Sequence, residues 1–340
     1  MNFLTDEYLD TYVKKMEKVV ALRHQIEKIV DEVMQTKKSN LFLLGVGGTI
    51  AILRPYLHMF KTMSNIEVYG ENAAEFNLTG NPKLTKDSVV FIMSDSGNTK
   101  EIKDSIQLIK KIGATTIAGV GTKGAPIGEM VDYCVYYTDK DTFSADADYL
   151  VQHMFFTYLL YKRGEFPNYE KFVSNLEVMP QALAQVKVKA DIQGQDFAKK
   201  YHKESYHIFT GAGNTWGETY CYSMCVLEEM QWIRAKSVHG ADFFHGTLEL
   251  VEEDVPVVII KGEDESRVLM DRIEAFSKQY SKKVTVYDSK DYELKGIDEE
   301  FRSLLAPIVI CAALGRINPY MEYATGHNLS FRRYYKVVEY

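Results

Sequence analysis

A short run of hydroxyl-bearing residues lies between an apolar segment and a segment with helical periodicity. The run is Ser94–Thr99, the apolar segment before it is 88–93, and isoleucines at helical spacing mark 100–112. These patterns predict a strand buried on both faces that leads into a helix. Backbone N–H groups at a helix start lack partners and carry positive charge, so hydroxyls placed there can bind a phosphate. A helix merely capped by serine or threonine is the alternative.

Two acids and two histidines form a second group that could do chemistry. Glu229 lies in an apolar helical stretch, and His239, Asp242 and His245 come after it on a glycine-flanked segment that reads as a loop. A desolvated carboxylate near a histidine can take and return protons, although such residues are more often solvated or structural. Zinc is a rival interpretation, but the spacing fits no standard ligand set. Spacing alone leaves acid–base chemistry and a structural role open.

Alternating strands and helices must position these residues. An apolar strand at 41–44 leads into the turn Gly45–Thr49, where two adjacent glycines and a threonine precede a helix. Further strands are expected at 67–70, 115–120 and 133–137. Alternation with short connections predicts a parallel sheet with helices on both faces. We assign substrate binding in the first half to Gly47, Gly48, Thr49, Ser94, Ser96, Gly97, Asn98 and Thr99.

The second half of the chain repeats the first. Residues 206–215 have the same order of apolar strand, glycine turn and threonine as 41–49, and 253–279 repeat the strand and helix of 88–112. Two like elements at nearly equal separations indicate a duplicated α/β unit. The loop of the second copy, 261–265, has lost its hydroxyls and carries acidic residues. We therefore expect only the first copy to bind phosphate.

Composition limits the classes of protein that this chain can represent. It has 340 residues, of which 46% are hydrophobic and 26% charged, with a net charge of −7. The negative charge argues against a general nucleic-acid binder. Inspection of the sequence predicts that no apolar run approaches a membrane span of about 20 residues. The start of the chain lacks a signal-peptide pattern, and the four cysteines show no paired framework. We expect a cytoplasmic chain without nucleic-acid or membrane partners.

Several motifs resemble a known family. The hydroxyl run with Glu101, the Gly-Gly-Thr turn and the duplication resemble the sugar isomerase (SIS) domain family, whose members bind phosphosugars through this loop. More specifically, Glu229–Trp232, Phe243–Gly246 and the C-terminal Arg332–Tyr340 resemble the fructosamine-6-phosphate deglycases, relatives of the isomerase half of glucosamine-6-phosphate synthase. The likeness covers essentially the whole chain. It implies an α/β fold of two tandem SIS domains, each a flavodoxin-like three-layer α/β/α structure.

The resemblance also implies a domain organisation. The predicted segments are an N-terminal helix in 1–38, a phosphosugar-binding SIS domain at 39–167, a helical connection at 168–203, and a second SIS domain at 204–340 with the catalytic residues and tail. The N-terminal segment reads as one amphipathic helix over 5–37 with an apolar stripe. That stripe and the resemblance together imply a homodimer or a dimer of dimers.

The implied reaction is hydrolysis of a 6-phosphorylated Amadori adduct of an amino acid to glucose 6-phosphate and the free amine. Glu229 would be the base at C1 and His245 the partner acid, acting through an enaminol. Each step is a proton transfer or a water addition, so no metal or redox cofactor is expected. The resemblance assigns His239 and Asp242 to substrate binding, and it implies that the tail folds over the sugar, with Lys336 as the nearest match to a substrate-contacting lysine.

Two departures and three open questions remain. Asp242 stands where the family usually has glutamate, so the role of Asp242 is open. Thr247 stands where proline is usual. An aldose–ketose or amino-sugar phosphate isomerase would use the same Glu and His. A non-catalytic sugar-phosphate sensor would carry a DNA-binding segment, for which the stretch before Leu41 is too short. The identity of the amine, its C1 or C2 linkage, and whether His245 serves its own chain stay open.

Overall fold

The computed structural model describes residues 3–138, 145–335 and 337–339 and divides into two compact units. We call Val13–Pro180 the N-terminal unit, and Met1–Tyr12 with Gln181–Tyr340 the C-terminal unit. The boundaries fall inside two helices, α1 (Asp6–Val20) and α8 (Tyr169–Tyr201).

The N-terminal unit is built on a five-stranded parallel sheet of order β2-β1-β3-β4-β5. The strands are β1 (Asn40–Gly45), β2 (Glu67–Asn72), β3 (Ser88–Ser94), β4 (Thr115–Thr122) and β5 (Tyr133–Thr138). The helices are α2 (Arg23–Val33), α3 (Gly48–Met63), α4 (Ala73–Thr79), α5 (Lys100–Ile112), α6 (Pro126–Met130) and α7 (Ala145–Lys162). This strand order is the flavodoxin-like one.

Helices cover both faces of this sheet, as the apolar strands require. Every residue of β1 and β3 is buried. On one face, Ile106 of α5 belongs to the same buried cluster as Val90 and Ile92 of β3. On the other face, the ring of Phe156 in α7 lies 4.7 Å from that of Phe91 in β3, measured between centroids. The predicted α/β fold with three layers is confirmed.

The C-terminal unit repeats this topology in a four-stranded parallel sheet of order β7-β6-β8-β9. The strands are β6 (Tyr206–Gly211), β7 (Arg234–His239), β8 (Val257–Lys261) and β9 (Val284–Asp288). The helices are α9 (Trp216–Cys221), α10 (Arg267–Tyr280), α11 (Glu299–Leu314) and α12 (Ile317–Thr325). The order matches β2-β1-β3-β4 of the N-terminal unit, so the predicted duplication is confirmed.

Two helical predictions need correction. The stretch 5–37 is not one helix, because α1 and α2 are separated by a turn at 21–22. There the Leu22 N–H donates to the Val19 carbonyl at 3.0 Å, an i→i−3 bond that tightens the last turn of α1. The helical connection predicted at 168–203 consists of the one helix α8, which continues through Pro180.

One apolar stretch is longer than the sequence analysis allowed. By length and composition, Glu299–Thr325 could cross a membrane, because an 18-residue window within it has a mean hydropathy of 1.4. The prediction that no run approaches a membrane span is therefore wrong. The charged residues Glu299, Glu300 and Arg302 at its start make the stretch as a whole look less apolar than its centre. However, 78% of this window is buried inside the protein, as in the core helix of a globular protein. Ile308, Val309 and Ile310 are fully buried.

The packing of α5 predicts a difference between two isoleucines of the same helix. Ile106 is fully buried and Ile112 is 43% exposed. We expect Ile106→Ala to lower the free energy of unfolding by about 2–5 kcal/mol, because it leaves a cavity in the core. Ile112→Ala, the matched control, should cost at most about 1 kcal/mol. Urea denaturation followed by far-UV circular dichroism measures both, and equal losses would contradict this packing.

Candidate active site

The hydroxyl run and the glycine turn lie at one edge of the N-terminal sheet. β1 and β3 are adjacent and parallel, with Leu44 opposite Ile92, so both strands end at the same level. From this edge the chain continues to β2 on one side and to β4 on the other. Such a switch in strand order is where open α/β sheets bind ligands. The structure thus brings Gly45–Thr49 and Ser94–Thr99 to one location, as the sequence predicted.

The hydroxyls of the run are not used to cap α5. Thr99 is the N-cap residue, yet its side chain makes no capping hydrogen bond. Ser96 Oγ accepts from the Asn98 N–H at 3.4 Å, within the loop itself. Ser94 is 2% exposed, and its Oγ has no hydrogen-bond partner in the described part of the chain. A buried hydroxyl without a protein partner is costly, so the arrangement favours a ligand over a plain helix cap.

Glycine is required at the centre of the loop. Gly97 has φ of 60°, in the left-handed region, and a Cβ there would overlap Ala125 and lie 2.7 Å from Val120 Cγ1. Asn98 is exposed and its Oδ1 accepts from Lys103 Nζ at 2.9 Å. The loop therefore presents backbone and hydroxyl donors in a fixed, tightly packed turn.

The glycine turn after β1 is built differently. Gly47 has φ of 60° and is the N-cap of α3, of which Gly48 is the first residue. Thr49 Oγ1 accepts from the Val46 N–H at 3.1 Å and donates to the Val46 carbonyl at 3.0 Å. The Thr49 hydroxyl thus stabilises the turn itself. The Thr49 N–H also donates to the Val46 carbonyl, at 3.3 Å, so this turn satisfies part of its own backbone at the edge that β1 shares with β3.

In the C-terminal unit the equivalent edge holds a carboxylate of the protein. Asp264, 8% exposed, accepts from the Asn214 N–H at 3.1 Å and from the Ser266 N–H at 2.8 Å. Asn214 lies after β6 and Ser266 after β8, so Asp264 bridges the two turns that correspond to those of the N-terminal unit. An internal anion satisfies the donors that an external phosphate would use, and this explains why the second loop needs no hydroxyls.

Glu229 lies near the end of a π-helical segment, Tyr222–Met230, that continues α9. Segments of this kind are rare and occur often at functional sites. The side chain of Glu229 is 30% exposed, and its Oε1 accepts from Arg332 Nε at 2.9 Å. Oε2 makes no hydrogen bond with any residue that the structure describes. The carboxylate is therefore oriented by one oxygen while the other stays available for proton transfer.

The tail contacts this part of the C-terminal unit. The guanidinium of Arg333 lies 4.3 Å from the ring centroid of Trp232, and the ring of His327 lies 4.3 Å from the same indole. Arg332 is further fixed by its bond to the Leu329 carbonyl at 2.7 Å. The tail is thus placed against Glu229, where the sequence predicted an active-site element. Lys336, the lysine proposed to contact substrate, lies outside the described residues.

The remaining predicted residues occupy the segment after Trp232. His239 is not in a loop, as the sequence suggested, but is the last residue of β7, because Gly211 and His239 pair in the sheet. Its Nδ1 accepts from the Ala241 N–H at 3.1 Å, which places the proton of the neutral ring on Nε2. Asp242 is exposed and precedes a short 3₁₀ helix, Phe243–His245.

His245 is exposed on that short helix, whose Phe243 is fully buried and anchors it. No hydrogen bond or ion pair joins Glu229 and His245 within the described chain. The structure therefore places the base in contact with the tail, and no bond to the proposed acid orients it within the described chain. Sequence reasoning missed Arg332 as the partner of Glu229. The only signal was a pair of adjacent arginines in an aromatic tail, which does not reveal a long-range contact.

Comparison with known proteins assigns the family. Residues 34–162 match the SIS domain model. Fructosamine deglycase FrlB of Bacillus subtilis (strain 168) is 31% identical over 94% of this chain and 98% of its own length. The chain belongs to the fructosamine deglycase family of SIS-domain proteins. The family predicted from the motifs is confirmed.

Other relatives of this deglycase-family chain agree over its whole length. Fructoselysine 6-phosphate deglycase of Escherichia coli (strain K12) is 25% identical over 100% of the chain and 98% of its own length. A Bacillus subtilis crystal structure, described as a candidate phosphosugar isomerase, has a TM-score of 0.89 at 29% identity and covers 96% of this chain and 99% of its own. As a member of this family of named deglycases, the chain is an enzyme.

The contrast between the two edges predicts where a phosphosugar binds this deglycase-family chain. We expect Ser94→Ala and Ser96→Ala each to weaken binding of glucose 6-phosphate by about tenfold or more, since bonds to charged groups contribute about 1.5–3 kcal/mol. Ser266→Ala, at the N-cap of α10 just after the second loop, is the control and should leave the affinity unchanged. Isothermal titration calorimetry measures all three. An equal loss from Ser266→Ala, or phosphate bound at 261–265, would contradict the assignment.

Proposed function

We propose that this protein hydrolyses a 6-phosphorylated fructosamine of an amino acid, with the amine on C1, to glucose 6-phosphate and the free amino acid. The observation that carries the proposal is the oriented carboxylate of Glu229, held by Arg332 through Oε1 with Oε2 uncommitted. The end-to-end likeness to fructosamine deglycase supports the same substrate class.

The phosphate serves as the handle of the substrate. In this proposal it binds the loop of Ser94, Ser96 and Thr99, at the switch point of the N-terminal sheet. The phosphate does not react, so its binding energy is available to fix the sugar for the proton transfers at C1 and C2. The buried Ser94 hydroxyl supports this role, since the ligand would supply the partner that the described chain does not.

In the proposed mechanism Glu229 and His245 carry out the proton transfers at C1 and at the C2 oxygen of the sugar. Oε2 of Glu229 removes a proton from C1 of the open-chain ketosamine while His245 delivers one to the C2 oxygen, which gives an enaminol. A proton then returns at C2 and C1 becomes an imine. Water adds to C1, the C–N bond breaks, and the aldehyde of glucose 6-phosphate forms as the amine leaves. Protonated and neutral forms of glutamate and histidine suffice for every step.

We place the reaction in the cytoplasm. The four cysteines, Cys134, Cys221, Cys225 and Cys311, are all free thiols. Unpaired cysteines are typical of a reducing compartment. Sugar phosphates are charged and do not diffuse across membranes, so an enzyme that acts on them is expected in the compartment that contains them.

The proposed base can be tested directly. Glu229→Gln keeps the shape of the side chain but removes its basicity, so kcat for glucose 6-phosphate release should fall by roughly 10²–10⁴-fold. Glu228→Gln, in the same π-helical segment, is the matched control and should cost far less. A coupled assay for glucose 6-phosphate with a panel of 6-phosphorylated fructosamines gives both values. Interconversion of fructose 6-phosphate and glucose 6-phosphate, without action on the adducts, would instead support an isomerase.

We further propose that the enzyme is a homodimer in which His245 serves the neighbouring chain. His245 and Asp242 are exposed, and no bond joins His245 to Glu229 within the described part of one chain. Mixing inactive Glu229→Gln and His245→Ala chains should then restore activity, up to about a quarter of the wild-type value with random pairing in dimers. Subunits are exchanged by mild denaturation and refolding before the assay. If no activity returns although mixed dimers form, both residues act within one chain.

A further inference from the structure

The tail and the turn after Glu229 form a groove of about 580 Å³ in the C-terminal unit. This volume is large enough for a small organic molecule. Glu229 belongs to its wall, and the tail contributes Arg332, Arg333 and two tyrosines. The proposed mechanism uses the carboxylate of Glu229 but leaves the rest of this groove without a role.

Trp232 is fixed in the groove by an unusual backbone. It has φ of 56° and is the only non-glycine residue with a positive φ in the described part of the chain. The left-handed region is strained for a bulky side chain, and such residues cluster at ligand sites. The indole contacts the ring of His327 and the guanidinium of Arg333, which lies 4.3 Å from its centroid. The left-handed backbone at Trp232 thus places its indole as an aromatic surface under the guanidinium of Arg333.

The free charge of the groove is positive. Its wall contains Arg234, Arg332 and Arg333 against Glu228 and Glu229. Arg332 is committed to Glu229. Arg333 and Arg234 form no ion pair with any residue that the structure describes. A guanidinium stacked on an aromatic face keeps the donors in its own plane available, and their forked geometry matches a carboxylate.

The reaction chemistry decides which part of a substrate meets this groove. This step rests on the proposed function. Glu229 would act at C1, which carries the amine, whereas the phosphate is at C6, the other end of the sugar. The nitrogen is bonded directly to the carbon that Glu229 deprotonates, so the group on the nitrogen begins two bonds from that carbon. We propose that the groove binds the amine portion of the substrate and that Arg333, supported by Trp232, binds its carboxylate.

The test compares pairs of 6-phosphorylated fructosamines that differ only in one carboxylate. The first pair is made from glycine and methylamine, and the second from lysine and cadaverine linked through the terminal amine. Glucose 6-phosphate release gives kcat/KM for each adduct. For the wild-type protein we expect at least one pair to favour the carboxylate-bearing member by about tenfold or more.

The variants assign that preference to the groove. Arg333→Gln should bring the ratio within the favoured pair close to one, chiefly by raising KM for the carboxylate-bearing adduct. Arg333→Lys, which keeps the charge and loses the fork, should retain part of the preference. Lys278→Gln is the control: it removes a positive charge of α10, outside the groove, and should leave the ratio unchanged.

The outcomes separate this inference from the proposed function. Equal kcat/KM within both pairs for the wild-type protein, or a preference that survives Arg333→Gln, overturns the carboxylate subsite while the deglycase activity stands. Release of glucose 6-phosphate from none of the four adducts overturns the proposed function itself. If Arg333→Gln fails to fold, as thermal unfolding would show, Arg333→Lys and the wild-type comparison still decide the question.

Discussion

Parallel strands all end at the same edge of a sheet, and both units of this protein depend on that constraint. In each unit the first and third strands are adjacent, so their carboxyl ends and the helix starts beyond them converge. Unpaired backbone N–H groups collect at that edge, and they need a negatively charged partner. The two units meet this requirement with different residues at the same edge of the sheet.

The two answers differ in the source of the anion. In the C-terminal unit, Asp264 supplies it from within the chain and bridges the turns after β6 and β8. In the N-terminal unit the corresponding loop instead buries the hydroxyl of Ser94, which has no protein partner in the described part of the chain. The turns of the C-terminal unit are thus joined by a carboxylate of the chain, whereas the N-terminal unit leaves a buried hydroxyl without a described partner. The C-terminal unit then carries its own groove beside Glu229.

Much of the fold could be predicted because it depends on local patterns. The continuous apolar runs of β1 and β3 identify strands buried on both faces, and the isoleucines of α5 mark the helix between β3 and β4. The duplication could be predicted because the same order of elements recurs. The break between α1 and α2 at 21–22 could not be predicted, since no glycine or proline marks it. Pro180 lies inside α8, which continues through it, so a proline does not mark a helix end there.

The candidate site could be predicted only in part, because only its local patterns can be recognised in the sequence. Ser94–Thr99 is contiguous, so its residue types alone indicate an anion-binding turn. The partner of Glu229 is Arg332, which lies more than a hundred residues away in sequence, and such a pairing arises from tertiary structure. The π-helical segment and the positive φ of Trp232 are likewise products of packing. Sequence patterns identify the reacting groups more readily than the groups that orient them.

The internal carboxylate of Asp264 has a consequence for how the protein responds to its surroundings. Because this anion is part of the chain, the bonds that it makes do not depend on the concentration of any solute. A ligand that binds the loop of the N-terminal unit stabilises the folded state by mass action, by about 2.7 kcal/mol when its concentration is a hundred times its dissociation constant. The bonds of Asp264 therefore persist without any ligand, whereas bonds between a ligand and the Ser94–Thr99 loop would exist only while that ligand is bound.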